Sequence, residues 1–67
     1  MSPKRLKTMI KRLRRERGLT QVELAKRAAV TQAYVAKIEG GDRANPSLAI
    51  LKRLAKALGV PVTALLE

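Results

Sequence analysis

The chain has 67 residues, with 15 Lys and Arg against 5 Asp and Glu, no His and no Cys, for a net charge of +10. A chain this short makes one domain, near the lower size at which an apolar core alone stabilises a fold, so self-association would help it. The charge calls for a polyanionic partner, either nucleic acid or an acidic membrane surface, while the absence of Cys excludes disulfides and thiolate metal sites.

Pro3 suits the first turn of a helix that runs to about Arg17, with Leu6, Met9, Ile10 and Leu13 on one face and Gly18 ending it. Eight of the fifteen basic residues fall between Lys4 and Arg17. They either solvate an exposed face or, along one edge, meet phosphate. As a membrane-surface helix this segment lacks the Trp or Phe that would anchor it among headgroups. The basic N-terminus is not followed by the apolar stretch of a secretory signal, and no apolar run is long enough to span a bilayer, so a cytoplasmic protein is expected.

The stretch Leu19 to Gly41, LTQVELAKRAAVTQAYVAKIEGG, reads as two short helices joined by a tight turn. Thr20 can cap the first, with Glu23 reaching back to the Thr20 N–H in a capping box, and Leu19 and Leu24 stand at the spacing of a hydrophobic staple. Thr31 can cap again, with Val30 and Val35 as a second staple, so the link shrinks to Ala28–Thr31. Leu24, Ala25 and Ala28 in one helix and Val35 and Ile38 in the next mark a buried face on each. Gln32, Ala33, Tyr34 and Lys37 are then left pointing outward, a row of amide, methyl, phenol and ammonium groups suited to base edges.

In GGDRANPS, residues 40–47, the Gly, Asp, Asn and Pro stop one helix and delay the next. Pro46 keeps Asn45 out of the helical region, and Ser47 caps a helix from about Leu48 to Leu58. Leu48, Leu51, Leu54, Ala55 and Leu58 form its expected core face, with Lys52, Arg53 and Lys56 outside and Gly59 as a left-handed cap. Pro61 opens a last short helix in which Leu65 packs inward. Ile50 and Leu66 are left over, and two spare apolar residues near one end suggest a contact surface.

Gln21, Leu24, Ala25, Val35, Ile38 and Glu39, with NPSL at 45–48 and LAKALGV at 54–60, resemble the phage repressor and Cro-like (Xre-type) helix-turn-helix family over about nine-tenths of the chain. The resemblance implies an all-α, lambda-repressor-like bundle of five short helices, with residues 1–67 as a single domain and the helix-turn-helix at about residues 20–40. The family usually has Gly in the turn where this chain has Ala29. A left-handed residue there costs Ala on the order of 1 kcal/mol, so a slightly rearranged turn is expected. The resemblance further implies that Gln21 contacts phosphate and braces Gln32, that the loop residues Arg43 and Asn45 lie along the DNA backbone, and that Glu39 pairs with a first-helix arginine, best matched by Arg14, with Arg15 or Arg17 as the substitutes. Thr31 and Arg14 are counted with the phosphate-contacting set.

The function expected is a sequence-specific regulator of transcription that binds a double-stranded DNA operator of two-fold symmetry as a homodimer. Gln32 suits adenine N6 and N7, Lys37 guanine O6 and N7, and Ala33 a thymine methyl. Ile50 and Leu66 are the candidate dimer contacts. No enzyme is expected, since no His, no Cys, scattered acids and no Gly-rich phosphate loop leave nothing to assemble as a catalytic site, and no cofactor, metal or small-molecule effector is expected either. The alternative is a protein-interaction module of the antitoxin or coactivator type on the same fold. RNA single-strand reading is disfavoured by a lone aromatic, Tyr34.

Overall fold

The first four helices of this chain start or stop where a side chain or a left-handed residue takes up backbone groups that the helix itself leaves unpaired. The computed structural model describes residues 3–41 and 46–66, with side chains from residue 5 onward. Among these residues there are five helices and no strand: α1 (Pro3–Glu16), α2 (Gln21–Ala28), α3 (Gln32–Glu39), α4 (Leu48–Leu58) and α5 (Thr63–Leu66). Thr20 Oγ1 accepts from the Glu23 N–H at 3.1 Å while Glu23 Oε1 accepts from the Thr20 N–H at 2.9 Å, a complete capping box. Thr31 Oγ1 accepts from the Tyr34 N–H at 3.0 Å, and Ser47 Oγ from the Ile50 N–H at 3.2 Å.

Three helix ends share one construction. After α1, α2 and α4 the chain passes through a left-handed residue, and the next N–H reaches back five residues: Leu19 to Arg14 O, Val30 to Ala25 O and Val60 to Ala55 O, at 2.9 to 3.0 Å. At Gly18 and Gly59 the left-handed residue is glycine, at φ 66° and 70°. At the helix-turn-helix it is Ala29, at φ 57° and ψ 43°. The turn is therefore not rearranged. Alanine accepts the geometry, and the Arg53 guanidinium of α4 donates to the carbonyls on either side of the bend, to Ala28 O at 3.1 Å and Ala29 O at 3.0 Å.

The core gathers the expected faces. Leu6, Ile10 and Leu13 of α1, Leu24, Ala25 and Ala28 of α2, and Val35 and Ile38 of α3 are buried, with Leu19 between the first two helices. From α4 come Leu51, Leu54, Ala55 and Leu58, and Leu65 closes the end on α5. α2 packs against both α3 and α4, and α1 supports α3 and α5. Met9 and Ile50 are only half-buried against this core. Leu48 departs from the expected core face, being 53% exposed. It continues the Leu51–Leu58 stripe, but it sits in the first turn of α4, beyond the part of the helix that its neighbours cover.

One polar cluster is buried within this apolar frame. Glu39, at the end of α3, is 5% exposed and receives Arg14 Nε at 2.6 Å and Nη2 at 2.9 Å, a two-point ion pair. The remaining Arg14 nitrogen, Nη1, donates to Leu19 O at 2.7 Å, and Gln21 Nε2 donates to Glu39 Oε1 at 3.2 Å. Burial raises the Glu39 pKa, but the hydrogen bonds from Arg14 and Gln21 and the charges of Arg14 and Lys11 outweigh it, so the carboxyl lies below its ordinary value. Arg14 is raised, chiefly by its hydrogen bond to Glu39, with burial opposing. No buried side-chain nitrogen or oxygen lacks a partner among the described residues.

These contacts can be tested by substitution. Ala29→Gly relieves the left-handed strain but adds freedom to the unfolded chain, so thermal melts should show a gain of at most about 1 kcal/mol; a loss would mean that alanine is unstrained there. For the ion pair, a double-mutant cycle on Arg14→Ala and Glu39→Ala should give a coupling of about 0.5 to 3 kcal/mol, and additive losses would deny the pair a stabilising role. Because the folded-state pKa of Glu39 is depressed, its contribution is complete above the ordinary carboxyl pKa and is lost as pH falls through the lower folded value. Acid titration of Glu39→Gln should accordingly lack that part of the wild-type decline.

Candidate nucleic-acid interface

The helix-turn-helix presents α3 with its ends tied down and one side open. At about 100° per residue, Gln32, Ala33, Ala36 and Lys37 share an arc opposite Val35 and Ile38, while Glu39 falls roughly 20° from Gln32 but two turns further on. The four residues of the arc are exposed, and Val35, Ile38 and Glu39 are buried. The exposed arc therefore carries an amide, two methyls and an ammonium group, and lacks a carboxylate. Ala36 was not singled out from sequence, although its position one turn after Ala33 and Gln32 places it in the same arc.

Tyr34 departs from the outward direction expected of it. It is half-buried and packs against the apolar core. Four residues separate it from buried Ile38, which puts the two side chains roughly 40° apart around the helix, so the ring leans into the flank of the core. Thr31 is exposed at the start of α3 with its hydroxyl occupied by the cap. Gln21 is half-buried at the first position of α2, and its amide nitrogen goes to Glu39 rather than toward Gln32. The physical reason is the carboxylate's demand for a further donor once it is removed from water.

The structure brings Arg14, Gln21 and Glu39 into one cluster beneath α3 and leaves Gln32, Ala33 and Lys37 on the outer side. Arg43 and Asn45 lie outside the described residues. Ile50 and Leu66 are elsewhere, on α4 and α5, half-buried and 37% exposed respectively.

Two cations of α1 lie near the far end of α3. Lys7 of α1 lies over Gly41, where an added Cβ would stand 3.1 Å from Lys7 Cδ, so its ammonium is carried close to the exit of α3. Lys11 is near enough to act on Glu39. Arg12 and Arg17, by contrast, both reach Glu16, at 3.6 and 3.7 Å, in exposed pairs of little energetic weight. At the start of α2, the Thr20 N–H and hydroxyl hold the Glu23 carboxyl below its usual range, with Arg27 and Lys26 adding to the effect. That carboxylate is turned back onto its cap. Sequence reasoning missed Lys7, Lys11 and Arg53 as individuals, because only the crossing of α1 and α4 with the central helices shows which of many cations sit beside them.

Among the described residues no group of acidic side chains is placed to hold a metal ion, and no helix is long and apolar enough to cross a membrane. A helix-turn-helix family matches residues 10–65. The chain is 52% identical over 56 residues to the immunity repressor of Bacillus phage phi105, which covers 84% of this chain and 38% of that protein. It spans 62% of a helix-turn-helix transcriptional regulator from Sinorhizobium fredii, at 51% identity over 49 residues and 73% of this chain. Among solved structures it superposes on SinR, the master regulator for biofilm formation, in complex with DNA, with a TM-score of 0.88 and 35% identity over 92% of this chain and 98% of that one. It also superposes on the restriction-modification controller protein C.AhdI from Aeromonas hydrophila, with a TM-score of 0.85 and 33% identity over 91% of each chain. The fold, the exposed third helix and these likenesses agree: the chain belongs to the phage repressor and Cro-like (Xre-type) helix-turn-helix family, a non-enzymatic family of DNA-binding transcriptional regulators.

Proposed function

We propose that residues 1–67 act as a single DNA-binding domain that reads a specific double-stranded operator of two-fold symmetry as a homodimer, in the cytoplasm at the nucleoid. The observation that carries this reading is the exposed arc of Gln32, Ala33 and Lys37 on a helix whose opposite side is buried. In the major groove, Gln32 would pair with adenine, Lys37 would donate to guanine and Ala33 would meet a thymine methyl. Phosphates would be held by the N–H groups at the start of α2 and by Gln21, Thr31, Arg43 and Asn45, with Arg14 behind them. Tyr34 stays beside this set, half-buried against the core.

The size of the chain supports the dimer. The described residues extend 24 Å at most, whereas successive major grooves on one face of the duplex are about 34 Å apart, so one chain cannot enter both. Ile50 and Leu66 are the proposed contacts.

Three measurements test the reading. With roughly 6 to 10 phosphate contacts per dimer, affinity should fall by about 10³ to 10⁵ between 50 and 200 mM salt, and a flat response would remove DNA as the main partner. Selection from a random duplex library should return a palindromic site, with Gln32→Ala and Lys37→Ala each altering base preference at about 1 to 3 kcal/mol on the best site. An interaction module would enrich no sequence at all. In sedimentation equilibrium, folded Ile50→Glu and Leu66→Glu variants should dissociate at concentrations where the parent is dimeric; unchanged association in both would place the interface elsewhere.

A further inference from the structure

The bend between α2 and α3 is made by an alanine in a left-handed conformation, and a cation from a different helix is bound across it. Arg53 of α4 donates from Nε to Ala28 O at 3.1 Å and from Nη2 to Ala29 O at 3.0 Å. One carbonyl ends α2, and the other belongs to the residue that redirects the chain toward α3. At Ala29 the conformation works against a clash between Cβ and backbone that glycine would not have. The guanidinium offers two N–H groups at a fixed spacing, which matches two neighbouring carbonyls in a way that a lysine ammonium does not.

We propose that Arg53 is a positioning residue for DNA reading, holding the Ala28–Ala29 turn so that the start of α3 is presented at a defined angle. This rests on the reading of α3 as the base-reading helix. The far end of α3 is anchored through Glu39 to Arg14, so slack in the turn appears at the near end, where Gln32 and Ala33 stand. An eight-residue helix is about 12 Å long, and a tilt of roughly 5° about its anchored end moves the other end by about 1 Å. Recognition groups must be held to about 0.5 Å, so that tilt is enough to spoil a two-point base contact.

Loss of a direct phosphate contact by Arg53 has a different signature: it weakens every duplex alike and leaves the affinity ratio between duplexes unchanged. The variants that separate the two are Arg53→Lys, which keeps the charge and loses the fork, Ala29→Gly, which needs no holding, and the double variant. Two quantities are measured on the full chain: the affinity ratio between the selected site and a random duplex, and hydrogen exchange of the Val30 amide, which closes the turn on Ala25 O. Arg53→Lys should speed Val30 exchange several-fold and lower the ratio roughly tenfold, about the worth of one base contact, with the salt slope unchanged. Adding Ala29→Gly should return most of both. A uniform loss on all duplexes that Ala29→Gly does not rescue would make Arg53 a phosphate ligand and overturn the proposal. A parent chain without preference among duplexes would remove the reading of α3 and this proposal with it. A parent that discriminates, beside an Arg53→Lys variant that discriminates equally, would remove this proposal alone.

Discussion

The interaction on which the rest of this small fold depends is the buried contact of Arg14 with Glu39. A carboxylate taken out of water is expensive unless it is fully partnered, and here three donors from two helices converge on it. Because Arg14 also binds Leu19 O, the same guanidinium fixes the link between α1 and α2 as well as the end of α3. An apolar substitute could fill the space but would not specify which turn of α3 lies over which turn of α1. The ion pair supplies register, and the surrounding leucines supply the larger free energy.

Around that node α3 is short and held at both ends. Thr31 caps its start, Glu39 anchors its finish, and Val35 and Ile38 bury its underside, so what remains outside is an amide, two methyls and an ammonium group. The two flanking helices each contribute one arginine to this arrangement, Arg14 from α1 and Arg53 from α4. Arg14 is partly buried, whereas Arg53 is exposed and lies along the bend. In a chain of net charge +10, two of the cations are therefore bound to groups within the helix-turn-helix itself, to Glu39 and to the carbonyls of the turn. The charge that attracts DNA and the charge that shapes the reader come from one abundant residue class, separated by where the helices cross.

The turn itself shows how a local preference is overridden. Gly18 and Gly59 occupy the same conformation that Ala29 adopts, with the same backward hydrogen bond, so the bond pattern does not require glycine. What alanine lacks in freedom is offset by the staple of Val30 and Val35 and by the guanidinium across the bend. The link is short and both helices are committed to the core, which leaves the chain no alternative path.

By itself the sequence determined the helices and their caps, since Thr20, Thr31, Ser47, Gly18 and Gly59 act on backbone groups within a few residues of themselves and need no tertiary context. It determined the outward side of α3 too, because the spacing of Val35 and Ile38 leaves Gln32, Ala33 and Lys37 no other direction. The Arg14–Glu39 contact spans 25 residues, and only the resemblance to a family pointed to it, as no periodicity links a basic residue of one helix to an acid at the end of another. Tertiary structure alone decided the rest. Tyr34 leans inward because it lies on the flank nearest Ile38, and Leu48 is exposed because its stripe outruns its neighbours. Gln21 turns to Glu39, and Arg53, one cation among fifteen, lands on the turn because α4 crosses α2 at its end. Each of these depends on how helices cross, a long-range packing outcome that local spacing does not encode.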